Sequence, residues 1–355
     1  MKNEITPSVH VVSLRMYEHA KASGYDRLVD FLGCPVIAPV REWTFTRRAV
    51  TRLLRFALRR SGSTWYHRES LLTELHAARE WLKKRGQVFH FLYGENSYRY
   101  LGAMKPISRR NRIVCTYHTP PDIFRTLVQD RQHLRRLDAI ITMSTAQNEF
   151  FSEFVGERVF FVPHGVDVDY FQPNPTRRAE SGVVGCLFVG SYLRDLETLA
   201  RAAAYVGQRT RDVHFSVVTR PESHHHFQGL RNVELYSGVP DEKLLEMYHG
   251  ADLFVLPLKD CTANNSLLEA IACGLPMVAT DLQGVRDYTC GDCAVLTPKG
   301  DAEALGDTVL DLAGDAAMRT KMGRASRQQA LNFRWERVAE HVWDVYRKVS
   351  NSLPP

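Results

Sequence analysis

The chain has 355 residues, of which 44% are hydrophobic and 24% charged. That balance is ordinary for a folded protein and excludes collagen, a coiled coil and a largely disordered tail; no apolar run approaches the ~20 residues that cross a bilayer. The net charge of +6 is uneven: residues 1–170 hold 26 Lys/Arg against 17 Asp/Glu, and the remainder 20 against 23, which turns the first half toward an anionic partner. Seven cysteines argue against a disulfide scaffold and for a reducing compartment. The N-terminus, MKNEITPSVHVVSLR, has no basic stretch followed by an apolar core and does not read as a signal peptide. The expected location is therefore cytoplasmic. The length predicts two domains.

In chain order, Ser8–Leu14 reads as a strand. Arg41–Arg60 follows, with seven arginines between apolar residues. As a helix it places Val50, Leu53, Leu54 and Ala57 on one stripe, which suits either a solvated basic helix packed on the core or a segment lying on an anionic membrane surface, the inner face for a cytoplasmic protein. No nucleic-acid-binding module accompanies the basic cluster. Val88–Tyr93, Ile113–Tyr117, Ala139–Met143 and Val159–Val162 are further short β-rich runs, with helical patterns at Glu69–Arg85 and Thr145–Phe154. Gln172–Gly182 has two prolines, mixed charge and a glycine, and reads as a linker. Strands at Val184–Val189, His214–Thr219, Val233–Tyr236, Leu253–Pro257, Met277–Thr280 and Ala294–Leu296 follow, with a helix over Asp195–Val206. Trp335–Val349 carries an amphipathic helix pattern. Strand–helix alternation predicts an α/β protein with two Rossmann-like, doubly wound parallel-sheet domains facing a central cleft. The expected division is 1–172, 173–334 and a final helical segment, 335–355, crossing back to the first domain.

The most informative stretch is ADLFVLPLKDCTANNSLLEAIACGLPMVATDLQGVRDY, residues 251–288. It reads as strand, polar loop, a helix starting near Ser266 and ending at Gly274, then a second strand. A helix N-terminus at the carboxyl edge of a parallel sheet is an anion site. Asn264, Asn265 and Ser266 are small enough to let a phosphate approach, and Glu269 can accept hydrogen bonds from a ribose diol. The same residues also satisfy a capping box, with Ser266 as cap and Glu269 reaching back.

This stretch resembles the retaining glycosyltransferases of the GT-B fold, the large group called family four. The resemblance lies in Leu267-Leu-Glu269-Ala-Ile-Ala-Cys-Gly-Leu-Pro276-Met-Val-Ala-Thr280, then Gln283-Gly284 and Asp287. AIITMS at 139–144, VPHGVD at 162–167, Val189-Gly190 and His118 in CTYHTPPD support it. The resemblance implies a UDP- or GDP-linked sugar as donor, held mainly by the second domain. Glu269 would bind the ribose, and Ser266, Leu267 and Leu268 would face the diphosphate beside Asn264 and Asn265. Gly190 and Ser191 would line the loop beneath it, and His118 would sit near the sugar and the acceptor. It implies transfer without metal or other cofactor, because basic side chains and helix N-termini neutralise the leaving diphosphate. The expected acceptor is a glycan, a lipid-linked sugar or a small molecule.

Three departures stand out. The family's first glutamate, eight positions before Glu269, is here Cys261, with Asp260 beside it. The usual Arg–Lys pair is reduced to Arg194, with Arg220 as a second cation; a surface role is the plain reading of both. The glycine-rich loop after the first strand is missing, and Ser23-Gly24-Tyr25 could replace it with backbone amides. His118, Arg194 and Glu269 are the expected catalytic residues; Ser23, Gly24, Tyr25, Glu95 and His118 are expected on the acceptor side. Two other readings stay open: a GT-B sugar-nucleotide epimerase or hydrolase, and a non-catalytic partner subunit. Cys290–Cys293 and His224–His226 lack the partners that a zinc site needs, and His90, inside a strand pattern, reads as a core histidine.

Overall fold

The computed structural model describes residues 7–13, 22–39, 48–174 and 182–351. Leu14, residues 41–47, the linker residues 175–181 and the side chains of residues 48–51 and 53 lie outside the described residues. The chain forms two compact units, each with its own core: Met1–His19, Gly24–His164 and Trp335–Pro355 make the first, Ala20–Ser23 and Gly165–Arg334 the second.

The first unit is a six-stranded sheet, ordered β2-β1-β3-β4-β5-β6, from Ser8–Val12 (β1), Val36–Ile37 (β2), Gln87–Phe91 (β3), Arg112–Tyr117 (β4), Ala139–Thr142 (β5) and Val159–Phe161 (β6). Every pairing is parallel. β3 and β5 are buried along their whole length, the pattern of a parallel sheet covered on both faces. The second unit repeats the design with Val184–Val189 (β7), Val213–Val218 (β8), Val233–Tyr236 (β9), Leu253–Leu256 (β10), Met277–Thr280 (β11) and Ala294–Thr297 (β12), ordered β12-β11-β10-β7-β8-β9. All of its pairings are parallel too. The order reverses at β10–β7, the topological switch point where open α/β sheets hold ligands beyond their carboxyl ends. The expected fold class, two doubly wound parallel sheets, is what forms.

The final helix, Trp335–Asn351, belongs to the first unit. It buries Val338, Val342, Val345 and Val349, each such burial contributing about 1.5–3 kcal/mol. Its Tyr346 hydroxyl lies 2.6 Å from Nδ1 of His90, whose Nε2 is 2.7 Å from Thr116 Oγ1. His90 is the satisfied core histidine its strand position suggests. Burial pushes its pKa down to about 3, as burial does for His133. Both depressions lie below the unfolded value of about 6.5, so the unfolded chain binds more protons between those limits. Their contribution is complete above pH 6.5 and is lost as pH falls toward 3. Urea midpoints of the wild type should therefore drop between pH 7 and pH 5; a midpoint that stays flat would contradict neutral burial.

Candidate functional site: the carboxyl edges of the two sheets

In the second unit the site forms where β7, β8 and β10 end. β7 runs out at Gly190, whose φ of 115° lies in the region that favours glycine. A Cβ there would stand 2.7 Å from Arg194 Nη2, so the residue must be small for a second reason. The arginine folds back over the glycine and is tied down. Its Nε donates to Val189 C=O (3.1 Å), Nη1 to Tyr192 C=O (3.1 Å), and Nη2 to Asn264 Oδ1 (3.1 Å) and Ser266 Oγ (2.9 Å). Burial pulls its pKa down, against the opposing pull of Cys261, Tyr248 and Glu269. Arg194 is therefore no surface arginine. It places a fixed positive charge beside the helix Asn265–Ala272 and braces the loop that leads into it.

That helix begins one residue earlier than the sequence suggests. Asn264 is the N-cap, its Oδ1 accepting the Leu267 N–H at 3.2 Å. Ser266 is already inside the first turn, and its hydroxyl donates to Val189 C=O at 3.1 Å. The capping-box reading is overturned because Asn264, just ahead of the helix, caps the Leu267 amide with its Oδ1 and leaves the Ser266 hydroxyl to the strand end. The amides of Asn265 and Ser266, the first two of the helix, carry no acceptor among the described residues, which is the arrangement that draws an anion. Leu267 and Leu268 are buried beneath this end and fix its tilt.

Glu269, one turn in, is buried. Ser23 Oγ donates to its Oε1 and the Tyr248 hydroxyl to its Oε2, the latter at 2.8 Å. Burial raises its pKa, while both hydroxyls and Arg194 oppose that shift. Ser23 thus meets a carboxylate and not a phosphate-binding loop. Tyr248, on the helix Asp241–Gly250, is a partner that the motif around Glu269 does not reveal. Ser191 Oγ lies 3.0 Å from Thr219 Oγ1 and accepts the Arg220 N–H at 3.1 Å, so it ties the loops after β7 and β8 together. The Arg220 side chain is exposed. Cys261 is buried, with its thiol pushed up to about 12 by burial. Its Sγ donates to Thr262 C=O at 3.1 Å, and its N–H goes to Asp260 Oδ1 at 2.7 Å. Gly284 explains the tight turn there, since a Cβ would fall 2.1 Å from the Cys261 carbonyl oxygen.

In the first unit the residues at the sheet's carboxyl edge gather around His118. Its ring stacks on Tyr93 at 4.7 Å and meets the edge of Tyr25 at 4.9 Å. Nε2 lies 2.7 Å from Leu92 C=O, which can only accept, so Nε2 carries a proton. Glu95 Oε1 accepts the His118 N–H at 2.9 Å. The other carboxyl oxygen, with the Tyr25 and Tyr93 hydroxyls and Thr119 Oγ1, is buried without a hydrogen-bond partner among the described residues. Gly24, with φ 102°, precedes the Tyr25 turn. Tyr25 is fully buried, so it packs the ring cluster and lends no backbone to a phosphate.

Burial raises the Glu95 pKa to about 7. A folded-state value above the unfolded one means stability falls as pH rises from about 4.5 to 7, where only the unfolded chain ionises freely. Glu95→Gln keeps an acceptor for the His118 N–H and removes the buried charge. Its melting temperature should exceed the wild type's at pH 8 and match it at pH 5. A lower value at both pH values would mean that the carboxylate is a stabilising partner.

All seven cysteines are free, including Cys290 and Cys293. The His224–His226 run lies in the 3-10 turn Pro221–Phe227. No group of three or more His, Cys, Asp or Glu gathers for a metal among the described residues, and none of their helices is long and apolar enough to cross a membrane.

Residues 184–315 match the family Glycosyl transferases group 1. The chain is similar to a D-inositol 3-phosphate glycosyltransferase of Xylanimonas cellulosilytica, 25% identical over 256 residues, 64% of this chain and 61% of that one. It is also similar to a GDP-mannose-dependent alpha-(1-6)-phosphatidylinositol monomannoside mannosyltransferase of Mycolicibacterium smegmatis, 27% identical over 269 residues, 66% and 70% of the two chains. The chain spans between 50% and 70% of the length of the curated relatives it matches. Among solved structures, sucrose-phosphate synthase from Thermosynechococcus elongatus superposes with a TM-score of 0.72 at 18% identity, covering 98% of this chain and all of that one. With two parallel sheets of the required topology the chain has the GT-B fold, and its residues 184–315, which include the signature around Glu269, match the group 1 glycosyltransferases.

Proposed function

We propose that the protein transfers a sugar from a nucleoside-diphosphate sugar to an acceptor hydroxyl with retention of anomeric configuration, in glycolipid or polysaccharide synthesis. The observation that carries the reading is the Asn265–Ala272 N-terminus, with two open amides, the fixed Arg194 charge beside it and the Glu269 carboxylate one turn in. In this reading the diphosphate rests on the amides of Asn265 and Ser266. Arg194 stabilises the charge that develops as the phosphate leaves, and Glu269 accepts a ribose hydroxyl in exchange for Ser23 or Tyr248. A helix end and a guanidinium supply that neutralisation with no metal ion. The acceptor oxygen attacks the face from which the diphosphate departs, and a departing phosphate oxygen takes its proton. The protein contributes position and charge, not a covalent nucleophile.

The relatives named for inositol 3-phosphate and phosphatidylinositol mannoside support a phosphorylated or lipid-linked polyol as acceptor. Glu95 and the orphan hydroxyls around His118 are the groups we assign to it. A peripheral place on an anionic membrane is part of the same proposal. It rests on the helix Arg48–Arg60, where Arg52, Arg55, Arg59 and Arg60 are exposed beside a 55% exposed Phe56.

The protein incubated with UDP- and GDP-sugars and a polyol phosphate acceptor should release nucleoside diphosphate and yield an axial product from an axial donor, read by proton NMR. An inverted product would overturn the retaining mechanism. Epimerised donor, or binding without turnover, would favour the epimerase or the partner-subunit reading.

A further inference from the structure

The second unit has a second charged depression, on the opposite edge of its sheet from the helix N-terminus. A cleft of about 530 Å³ lies against the helix Ala316–Ala330 and the amino ends of β10 and β11. β10 is four residues long, so the two edges are separated by about 13 Å of strand at ~3.3 Å per residue. The volume is ample for a small ligand, since such sites span about 300–1,000 Å³.

Its walls carry Arg319, Arg324 and Arg327 against the single carboxylate of Asp252. Two of the arginines do structural work with part of their donor set only. Arg319 Nη1 donates to the Leu312 and Ala313 carbonyls at 2.7 and 2.6 Å, neutralising the end of the helix Ala302–Gly314. Arg327 donates through Nη1 to Phe171 and Ala272 C=O and through Nη2 to Val168 C=O, at 2.9, 2.9 and 3.0 Å. Nε and Nη2 of Arg319 and Nε of Arg327 have no acceptor among the described residues. Arg324 is exposed. None of the three forms an ion pair among the described residues, although Asp169 attracts Arg327 at longer range. Guanidinium groups held in place by carbonyls keep their remaining forks pre-aimed, and such forks match the oxygens of a phosphate. Beside them stand Thr320, whose hydroxyl donates to Ala316 C=O at 2.9 Å and keeps its lone pairs, and Gln328. Both can serve hydroxyl groups.

We propose that this cleft binds the phosphate monoester of a small polyol, with the phosphate between Arg319, Arg324 and Arg327 and the hydroxyls toward Asp252, Thr320 and Gln328. The site is separate from the donor edge and does not depend on the transferase reading.

The test is a melting-temperature titration of the full chain with hexose 6-phosphate, with inorganic phosphate, and with each in the presence of saturating UDP and GDP. A ligand of the native state raises the melting temperature, with a stabilisation that grows as the logarithm of one plus the ratio of free ligand concentration to Kd. Hexose 6-phosphate should raise it, the rise should persist with nucleotide present, and Arg324→Ser should weaken the apparent affinity about tenfold, the scale of one charge-assisted contact. Arg324 supports no other group among the described residues, so this variant should fold with the unliganded melting temperature of the wild type. Three results overturn the proposal: no rise with either phosphate, a rise that nucleotide abolishes, or a rise that Arg324→Ser leaves unchanged. A rise with inorganic phosphate alone would overturn the polyol and leave only a simple anion site.

Discussion

Glu269→Gln should weaken nucleoside-diphosphate binding about two- to thirtyfold while leaving the fold intact. Both carboxylate oxygens of Glu269 are occupied by hydroxyls, one from Ser23 and one from Tyr248. Glutamine retains one good acceptor and replaces the other with an amide that donates. Either the Ser23 or the Tyr248 contact is then reversed, and a ribose hydroxyl meets a neutral partner where it would have met a charged one. A hydrogen bond to a charged group is worth about 1.5–3 kcal/mol, and a neutral one about 1. The difference of roughly 0.5–2 kcal/mol corresponds to about two- to thirtyfold in affinity. Stability moves the other way, or hardly at all, because burial already raises the carboxyl pKa and works against the ion. Calorimetric titration of nucleotide together with a thermal melt separates the two effects. Unchanged affinity with a lowered melting temperature would make Glu269 a structural carboxylate only.

Replacing Arg52, Arg55 and Arg59 together by Glu should abolish sedimentation with anionic vesicles. All three side chains are exposed on the helix Arg48–Arg60, and the Arg60 guanidinium lies 5.5 Å from the ring centroid of the exposed Phe56. Tyr100 anchors the inner side of the helix by donating to Ala57 C=O at 2.6 Å, so the basic face can change without loosening that contact. Each arginine near an anionic surface contributes about 1 kcal/mol, so losing three costs about 3 kcal/mol, more than a hundredfold in partitioning. The wild type should sediment at low salt, release at high salt as the Debye length shrinks, and ignore neutral vesicles. Release of nucleotide from the free donor should be unchanged in the triple variant. A wild type that never sediments with anionic vesicles would make the segment an ordinary solvated helix and favour a water-soluble acceptor.

How far the sequence could be read depended on how local the cause was. β7 and β11 fall where the apolar runs place them, because a strand buried on both faces has no charged residue to blur its ends. β2, two residues between Pro35 and Pro39, is set by pairing with β1 and leaves no local signature. The helix cap is Asn264 and not Ser266 because two nearby capping residues compete, and Val189 C=O, 77 residues away, takes the Ser266 hydroxyl. Gly190 was legible as a loop glycine. That Arg194 would fill the space above it, and spend its donors on four protein oxygens, depended on tertiary placement. Tyr248 and Thr219 left no trace in the motif, since each acts through a hydroxyl delivered by a different element. His118 was legible by resemblance. Its link to Glu95, 23 residues apart, joins the ends of two neighbouring strands and is a property of the sheet.

A nucleoside diphosphate should bind at the N-terminus of Asn265–Ala272. Isothermal titration of the purified chain with UDP and with GDP, in buffer containing a chelator, measures it. One of the two should bind with one-to-one stoichiometry, and Arg194→Met should abolish that binding, because the variant removes both the charge and the brace on Asn264 and Ser266. Failure of both nucleotides to bind, binding that requires a divalent cation, or full affinity in Arg194→Met would contradict it.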